Sequence, residues 1–401
     1  MEDAVYRNVE ALEPLMPTSQ VTQLGDLACD ILRESSRLSG RSHPIVRRAL
    51  AEALRLTNSY YSQLIEGHFT SPADIERALT GSLLADPASR NLQIENTAHI
   101  ETQREMEARL AAEPSLDPLS PEFLQWLHGR FYRDVPQDLR FTMNKAGVKR
   151  SITVGDFRLG LVDIDQHLAP APEVIRPMLS RMAREYAQVS GPLKTVAIAA
   201  AHHRLLWVHP FDDGNGRVAR LVAHAMAIRA RIDADGLWSI SRGLARKRDL
   251  YRDALSQADH QRHGSLDGRG NLSDQGLAEF CVFFLETMLD QIRFIDSCLD
   301  FDALSDRIRI HVAFGPSTRK HGGPINLLVR EALTRGEFPR GEAGRIIGKS
   351  QRTGQTILGI ALKSGLLTST TEKSPVRIAF PMAAMEAYFP SLFAPGTDQA
   401  K

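Results

Sequence analysis

Between His209 and Arg220 the chain reads His-Pro-Phe-Asp-Asp-Gly-Asn-Gly-Arg-Val-Ala-Arg. A neutral imidazole at His209 can take a proton from an attacking hydroxyl near neutral pH. Asp213 suits Mg²⁺ (or Mn²⁺), which keeps several waters and needs only one or two protein carboxylates beside phosphate oxygens. Asn215 offers its NH₂ to a phosphate oxygen. Gly214 and Gly216 free the backbone for close approach to a ligand. A glycine-rich turn that opens a helix at Val218 aims N–H groups and the positive helix end at an anion. Arg217 and Arg220 bring planar donor forks for outer phosphates. Phe211, apolar between polar neighbours, reads as the anchor of the loop, and Asp212 as its solvent-facing member. Taken singly, each residue is more often structural; together they point to phosphate chemistry.

Helices must hold this loop. The periodicity predicts them through 20–112, with Leu24, Leu27, Ala28 and Leu32 on one stripe and Val46, Ala49, Leu50 and Leu54 on another. Ser71-Pro72-Ala73-Asp74 opens a further helix. Pro118 to Phe131 reads as helical and stops before Pro136. The period then changes: 149–155 and 157–159 read as two short strands around a Gly-Asp turn. Helices return over 174–189 and 193–208, the second running straight into the glycine motif, and then over 218–231, about 245–257 and about 274–299. The stretch 263–270 reads as a loop. From Arg307 to Arg377 there are thirteen Lys and Arg against four Glu, a strongly basic segment. It holds helical patterns at 325–335, 340–347 and 351–364, then two strand patterns at 366–369 and 376–379. That order is the order of a winged helix-turn-helix.

The bulk composition excludes several classes. The chain has 401 residues, more than one typical domain. A formal net charge of +1 argues against a wholly basic nucleic-acid coat. Cys29, Cys281 and Cys298 have no metal-like spacing, so neither a disulfide framework nor a zinc site is expected. His202 and His203 lack cysteine partners and a His-Glu-x-x-His pattern, so a structural role is expected of them. The first residues are acidic without an apolar core and do not read as a secretory signal. No apolar run approaches a membrane span. A cytoplasmic location, without a membrane partner, is the expectation.

The motif resembles the signature of Fic-domain proteins, His-x-Phe-x-Asp/Glu-Gly-Asn-Gly-Arg-x-x-Arg, with every fixed position present. Residues 201–208 are similar to the helix that precedes it there, and the resemblance spans roughly residues 55 to 295. It implies a mainly α-helical core and transfer of AMP from ATP to a Ser, Thr or Tyr hydroxyl of a target protein. Carried over, His209 is the general base and Asp213 holds the metal. Asn215 meets the α-phosphate, Arg217 and Arg220 the β- and γ-phosphates, and the nucleotide loop spans Phe211, Asp212, Gly214 and Gly216. Relatives that act as kinases carry a larger basic residue in place of Gly216 and bind the nucleotide reversed. Ile152-Thr153-Val154 resembles the flap, whose exposed edge would hold the target by strand addition. A plain hairpin reads equally well from the periodicity.

Upstream, Ser62-Gln63-Leu64-Ile65-Glu66-Gly67 puts Ser62 and Glu66 on one helix face. By itself this reads as a surface helix with a glycine cap. It also resembles the family's inhibitory motif, which implies that Glu66 pairs with Arg217 and misplaces ATP, and that Glu66 can position water for removal of AMP. The segment 246–252 departs from the Asn-Arg-x-x-Tyr-Tyr that relatives often show near the nucleoside, at Lys247 and Arg252. The organisation expected is an N-terminal helical region with the inhibitory helix (1–112), a Fic core with a small β-hairpin flap (113–300) and a winged helix-turn-helix (305–395). Lys349, Arg352 and Lys363, on or near its third helix, suit duplex DNA or a protein partner equally. A DNA-binding regulator that senses nucleotide is the rival reading, and transfer of another nucleotide a third. A homodimer is left open.

Overall fold

Proline starts many of these helices. In the structure, a computed structural model that describes residues 5–143, 149–164 and 167–393, five helices begin on one. They are α2 (Pro44–Ile65), α3 (Pro72–Leu79), α4 (Pro87–Ala112), α5 (Pro121–Arg133) and α6 (Pro172–Ala187), following α1 (Val21–Ser39). Proline's missing N–H costs nothing in a first turn, and its fixed φ suits the helix. Ser71, Asp86 and Ser120 cap α3, α4 and α5 by accepting a backbone N–H three residues on.

The centre of the molecule is α7 (Leu193–Val208), buried on nearly every side from Thr195 onward. A helix apolar all round can only be a core helix. Packed around it are α1, α6, α8 (Asn215–Ala230) and α11 (Asp274–Cys298). Between α8 and α11 lie α9 (Ile240–Arg246) and α10 (Arg248–Asp259). The sequence pattern over 245–257 predicts one helix, but the chain breaks at Lys247 (φ −120°), which ends α9 and begins α10. One contiguous set of buried apolar side chains runs from Ala11 to Leu392.

The strands correct the sequence reading. Lys149–Ser151 (β2) pairs antiparallel with Phe141–Met143 (β1), not with Phe157–Leu159. Residues 144–148 at the tip lie outside the described residues. Ile152 extends the pairing by one bond, donating its N–H to the Arg140 carbonyl (3.0 Å), and its side chain is buried in a second, small apolar cluster with Ala98, Phe131, Tyr132 and Val135. Burial of that side chain accounts for its apolar character, while Thr153 beside it is exposed and Val154 half-buried. A second pair joins Asp163–Ile164 (β3) to His167–Leu168 (β4).

Beyond α11 come α12 (Phe301–Phe314), α13 (Gly322–Arg335), β5 (Glu337–Phe338), α14 (Ala343–Ile346), α15 (Gln351–Lys363), β6 (Leu367–Thr368), β7 (Val376–Ile378) and α16 (Met382–Tyr388). The sheet order is β5-β7-β6, antiparallel throughout. The sequence reading lacked α12, α16 and the short β5. At the crossing of α14 and α15 two glycines meet, and a Cβ on Gly354 would lie 2.3 Å from the Gly344 nitrogen. After α16 the chain returns to the first half of the molecule. Tyr61 on α2 donates its hydroxyl to the Leu392 carbonyl (2.7 Å), and Arg242 on α9 donates to the carbonyls of Ser391 and Leu392. Among the described residues no helix is long and apolar enough to cross a membrane.

Candidate active site

The loop from His209 to Gly214 joins the two central helices. His209 caps α7 in the left-handed region (φ 49°), donating its N–H to the Leu205 carbonyl. Non-glycine residues rarely adopt this conformation, and surroundings must hold it. Phe211 is fully buried and stacks on the His128 ring at 4.1 Å, so it anchors the loop as expected. Asp212 is half-buried.

Asn215 has a role within the loop. Its side-chain oxygen accepts the Phe211 N–H (3.0 Å) and its NH₂ donates to the Phe211 carbonyl (2.8 Å). The amide thereby closes the loop, using its oxygen and one N–H of its NH₂. Around it the start of α8 is buried apart from half-buried Gly216. Gly214 turns the corner at φ 79°, where a Cβ would press on the Tyr132 ring. No side chain caps α8, and its first-turn N–H groups have no carbonyl of their own helix to bond. That is an anion site by construction.

The two arginines divide between two walls. Positions 213 and 217 share one face of α8, and 216 and 220 the next. Buried Arg217 donates to Asp213 (2.6 Å), to the Tyr132 hydroxyl (3.0 Å) and to Glu95 on α4 (3.2 Å), and its guanidinium lies 4.7 Å from the Phe131 ring centroid. Burial works against its charge, but the Tyr132 oxygen and the Asp213, Glu95 and Glu66 carboxylates outweigh it, so its pKa is raised. Arg220 instead faces α2. It donates to Ser62 Oγ (2.9 Å), the Ser62 carbonyl (3.0 Å) and Glu66 Oε1 (2.6 Å). The expected Glu66–Arg217 pair is therefore corrected to Glu66–Arg220. Arg217 is turned away from α2, towards α4 and α5.

Glu66 itself is the C-terminal cap of α2, followed by Gly67 at φ 89°. Burial pushes its carboxyl up, but Arg220 and then Arg217 more than compensate and hold it below the usual glutamate range. Its carboxylate lies directly over Gly216, where a Cβ would fall 2.5 Å from Glu66 Oε1. The lack of a side chain there is what admits the carboxylate.

Asp213 is likewise ionised. Burial raises its pKa, while Arg217 and the Tyr132 hydroxyl lower it further. Among the described residues no group of three or more His, Cys, Asp or Glu is arranged to hold a metal ion. One ionised carboxylate beside an anion site fits a divalent cation that arrives with phosphate oxygens.

Two contributors, Tyr132 and Glu95, carried no local sign in the sequence, while His202 has the structural role expected of it. Tyr132 bonds Asp213 and Arg217 together. Glu95 takes Arg217, Gln63 Nε2 (3.2 Å) and His68 Nδ1 (3.3 Å) on one oxygen, and its charge raises the His68 pKa. His202 ties α7 to Ala219 of α8 (3.2 Å) and to the Tyr251 hydroxyl of α10 (2.8 Å). Burial pushes its pKa down to about 3, so it is a neutral structural histidine. Tyr251 lies in the segment that departs from the family pattern at Lys247 and Arg252.

Residues 118–227, which run from the approach to α5 through most of α8, match the Fic/DOC family. This segment is a Fic/DOC domain. Adenylyltransferases named Fic are similar over a larger stretch. The Nematostella vectensis protein is 26% identical over 219 residues, 54% of this chain and 45% of the relative. The Drosophila mojavensis protein is 27% identical over 229 residues, 56% and 42%. The chain thus spans less than half the length of these curated relatives. In fold, it is similar to a Fic family protein from Desulfovibrio desulfuricans G20 (TM-score 0.54, 17% identity, 91% of this chain and 98% of the other). It is similar also to Fic-1 from C. elegans (TM-score 0.51, 18% identity, 70% and 76%). The Fic/DOC match contains the whole of the 209–220 loop but neither Glu66 nor Glu95.

Proposed function

We propose that this chain is an autoinhibited protein adenylyltransferase. The observation that carries the reading is the Glu66 carboxylate seated over Gly216 and bonded to Arg220, at the helix start that opens the Fic/DOC loop. In the active state the triphosphate of ATP takes that place. Backbone N–H groups at the start of α8 receive the α-phosphate beside Asn215, whose side chain also closes the loop onto Phe211. Asp213 holds Mg²⁺, which neutralises phosphate charge. Arg217 and Arg220 meet the β- and γ-phosphates. His209 takes the proton of the target hydroxyl as its oxygen bonds the α-phosphorus. The α–β anhydride bond breaks and pyrophosphate leaves. The hairpin of β1 and β2 is rooted through Ile152 beside Tyr132, and its outer residues Lys149–Ser151 are exposed. This placement suits pairing with an extended target segment.

Intact-mass measurement of the Glu66→Gly protein after incubation with ATP and Mg²⁺ tests the reading. The expected result is a gain of one or more AMP units, on the chain itself or on an added target, abolished by a chelator. A mass gain of phosphate alone, or none, would overturn it.

A second reading concerns the C-terminal unit, which we read as a winged helix-turn-helix for duplex DNA. The exposed face of α15 presents Gln351, Arg352, Gln355, Thr356 and Lys363, and the helix carries no carboxylate. Close crossing through Gly344 and Gly354 gives the tight helix pair such a unit needs. Duplex binding that weakens steeply with salt, and is lost in Arg352→Glu, is the expected result. Binding unaffected by salt or by Arg352→Glu would exclude it.

A further inference from the structure

Arg158 is 1% exposed, yet among the described residues none of its hydrogen bonds goes to a carboxylate. Nε donates to the His209 carbonyl (2.7 Å). Nη1 donates to the Gly160 carbonyl (2.7 Å), and Nη2 to those of Pro170 (2.6 Å) and Val208 (3.3 Å). Its own N–H donates to the Pro210 carbonyl (2.9 Å). Three consecutive carbonyls, 208 to 210, therefore end on one residue. They lie at the C-terminus of α7, where carbonyls lack helix partners and a cation is favoured. Burial pushes the guanidinium down to about 10, partly opposed by Asp212, so it keeps its charge at neutral pH.

A buried cation with no ion pair among the described residues is costly and calls for a reason. The reason lies at His209, the loop residue in the left-handed region. Such a conformation persists only where neighbours over-determine it. The turn that carries Arg158 is itself fixed. Gly155 N–H donates to His128 Nδ1 (3.0 Å), and a Cβ on Gly129 would lie 3.4 Å from the Gly155 Cα. His128 also stacks on Phe211. One face of α5 therefore sets both ends of the clasp.

We propose that Arg158 is the positioning residue of the general base, clasping the backbone on either side of His209 so that its imidazole is aimed at the incoming hydroxyl. The proposal rests on the adenylyl-transfer reading of His209. A fork with several fixed donors is needed to reach these carbonyls at once, which a lysine cannot supply.

The test is made in the Glu66→Gly protein. Arg158→Lys is expected to lower kcat for AMP transfer about a hundredfold, the scale of a small misplacement of a reacting group, with KM for ATP little changed. His128→Gln, which leaves the guanidinium in place but loosens its turn and the stacking on Phe211, is expected to lower kcat less, again without a KM effect. In both, the ring resonances of His209 should shift by NMR while those of buried His202 stay, which shows an intact core. A loss falling on KM, or unshifted His209 resonances, would overturn the proposal. If the Glu66→Gly parent does not label at all, the adenylyl-transfer reading fails, and the His209 resonances alone decide the role of Arg158.

Discussion

Glu66→Gly should raise AMP transfer on the order of ten- to a hundredfold over the unaltered chain. The estimate comes from the contact removed. A hydrogen bond between charged groups contributes roughly 1.5–3 kcal/mol, more than a neutral one. That energy holds the carboxylate in place against entering phosphate, and its loss is read directly as occupancy of the active state. The fold should survive. Arg220 keeps two bonds to Ser62, and glycine is well tolerated at a helix C-terminus. Time-resolved labelling of both proteins at equal ATP checks the claim, and equal rates would remove Glu66 as an inhibitor. Acid gives a second check. The Glu66 pKa is lowered from its ordinary 4.5, so the ion pair is complete above that value and is lost only as pH falls through the depressed one. Between pH 7 and pH 5 the ratio of the two rates should stay constant; a ratio collapsing in that window would mean another group controls the contact.

The second large effect is expected at His209. In the Glu66→Gly background, His209→Ala should lower labelling by roughly 10²- to 10⁴-fold, the usual size of a lost general base. Nucleotide affinity should hardly move. The anion site is built from the start of α8 and the arginines, and His209 lies at the other end of the loop, as the cap of α7. Stability should change by no more than about 1 kcal/mol, as the residue is half-buried and its backbone is held by others. Labelling at the parent rate would take proton transfer away from His209. A parallel loss of ATP binding would recast it as a binding residue.

Much of this site was legible because it is local. A run that puts a histidine, a carboxylate, two glycines and two arginines at the junction of two helices declares phosphate chemistry in one stretch. The errors arose where a partner comes from far along the chain. Ser62 and Glu66 share a face, but which arginine they meet depends on how α8 is rotated against α2, and three residues of spacing turn Arg220 towards it and Arg217 away. Asn215 has the right chemistry for a phosphate, yet its nearest acceptor and donor are on Phe211, four residues back. Ile152 and Val154 alternate like a strand, though what Ile152 meets is a cluster under the hairpin. Arg158 is the extreme case. Its partners are carbonyl oxygens, those beside His209 lying 50 and 51 residues away, and a carbonyl leaves no trace in side-chain identity.

The bare backbone at Gly216 has a consequence for how inhibition can be tuned. On the proposed reading, a carboxylate and a phosphate contend for one seat, so Glu66 behaves as a competitor tethered to the site. Its strength is then a local concentration, set by the geometry of the end of α2, against which ATP in solution must compete. The shared seat also ties the two occupants together. A side chain placed at 216 would evict the competitor and the substrate alike, so relief of inhibition without loss of activity has to come from the α2 side, by altering Glu66 or the helix that carries it.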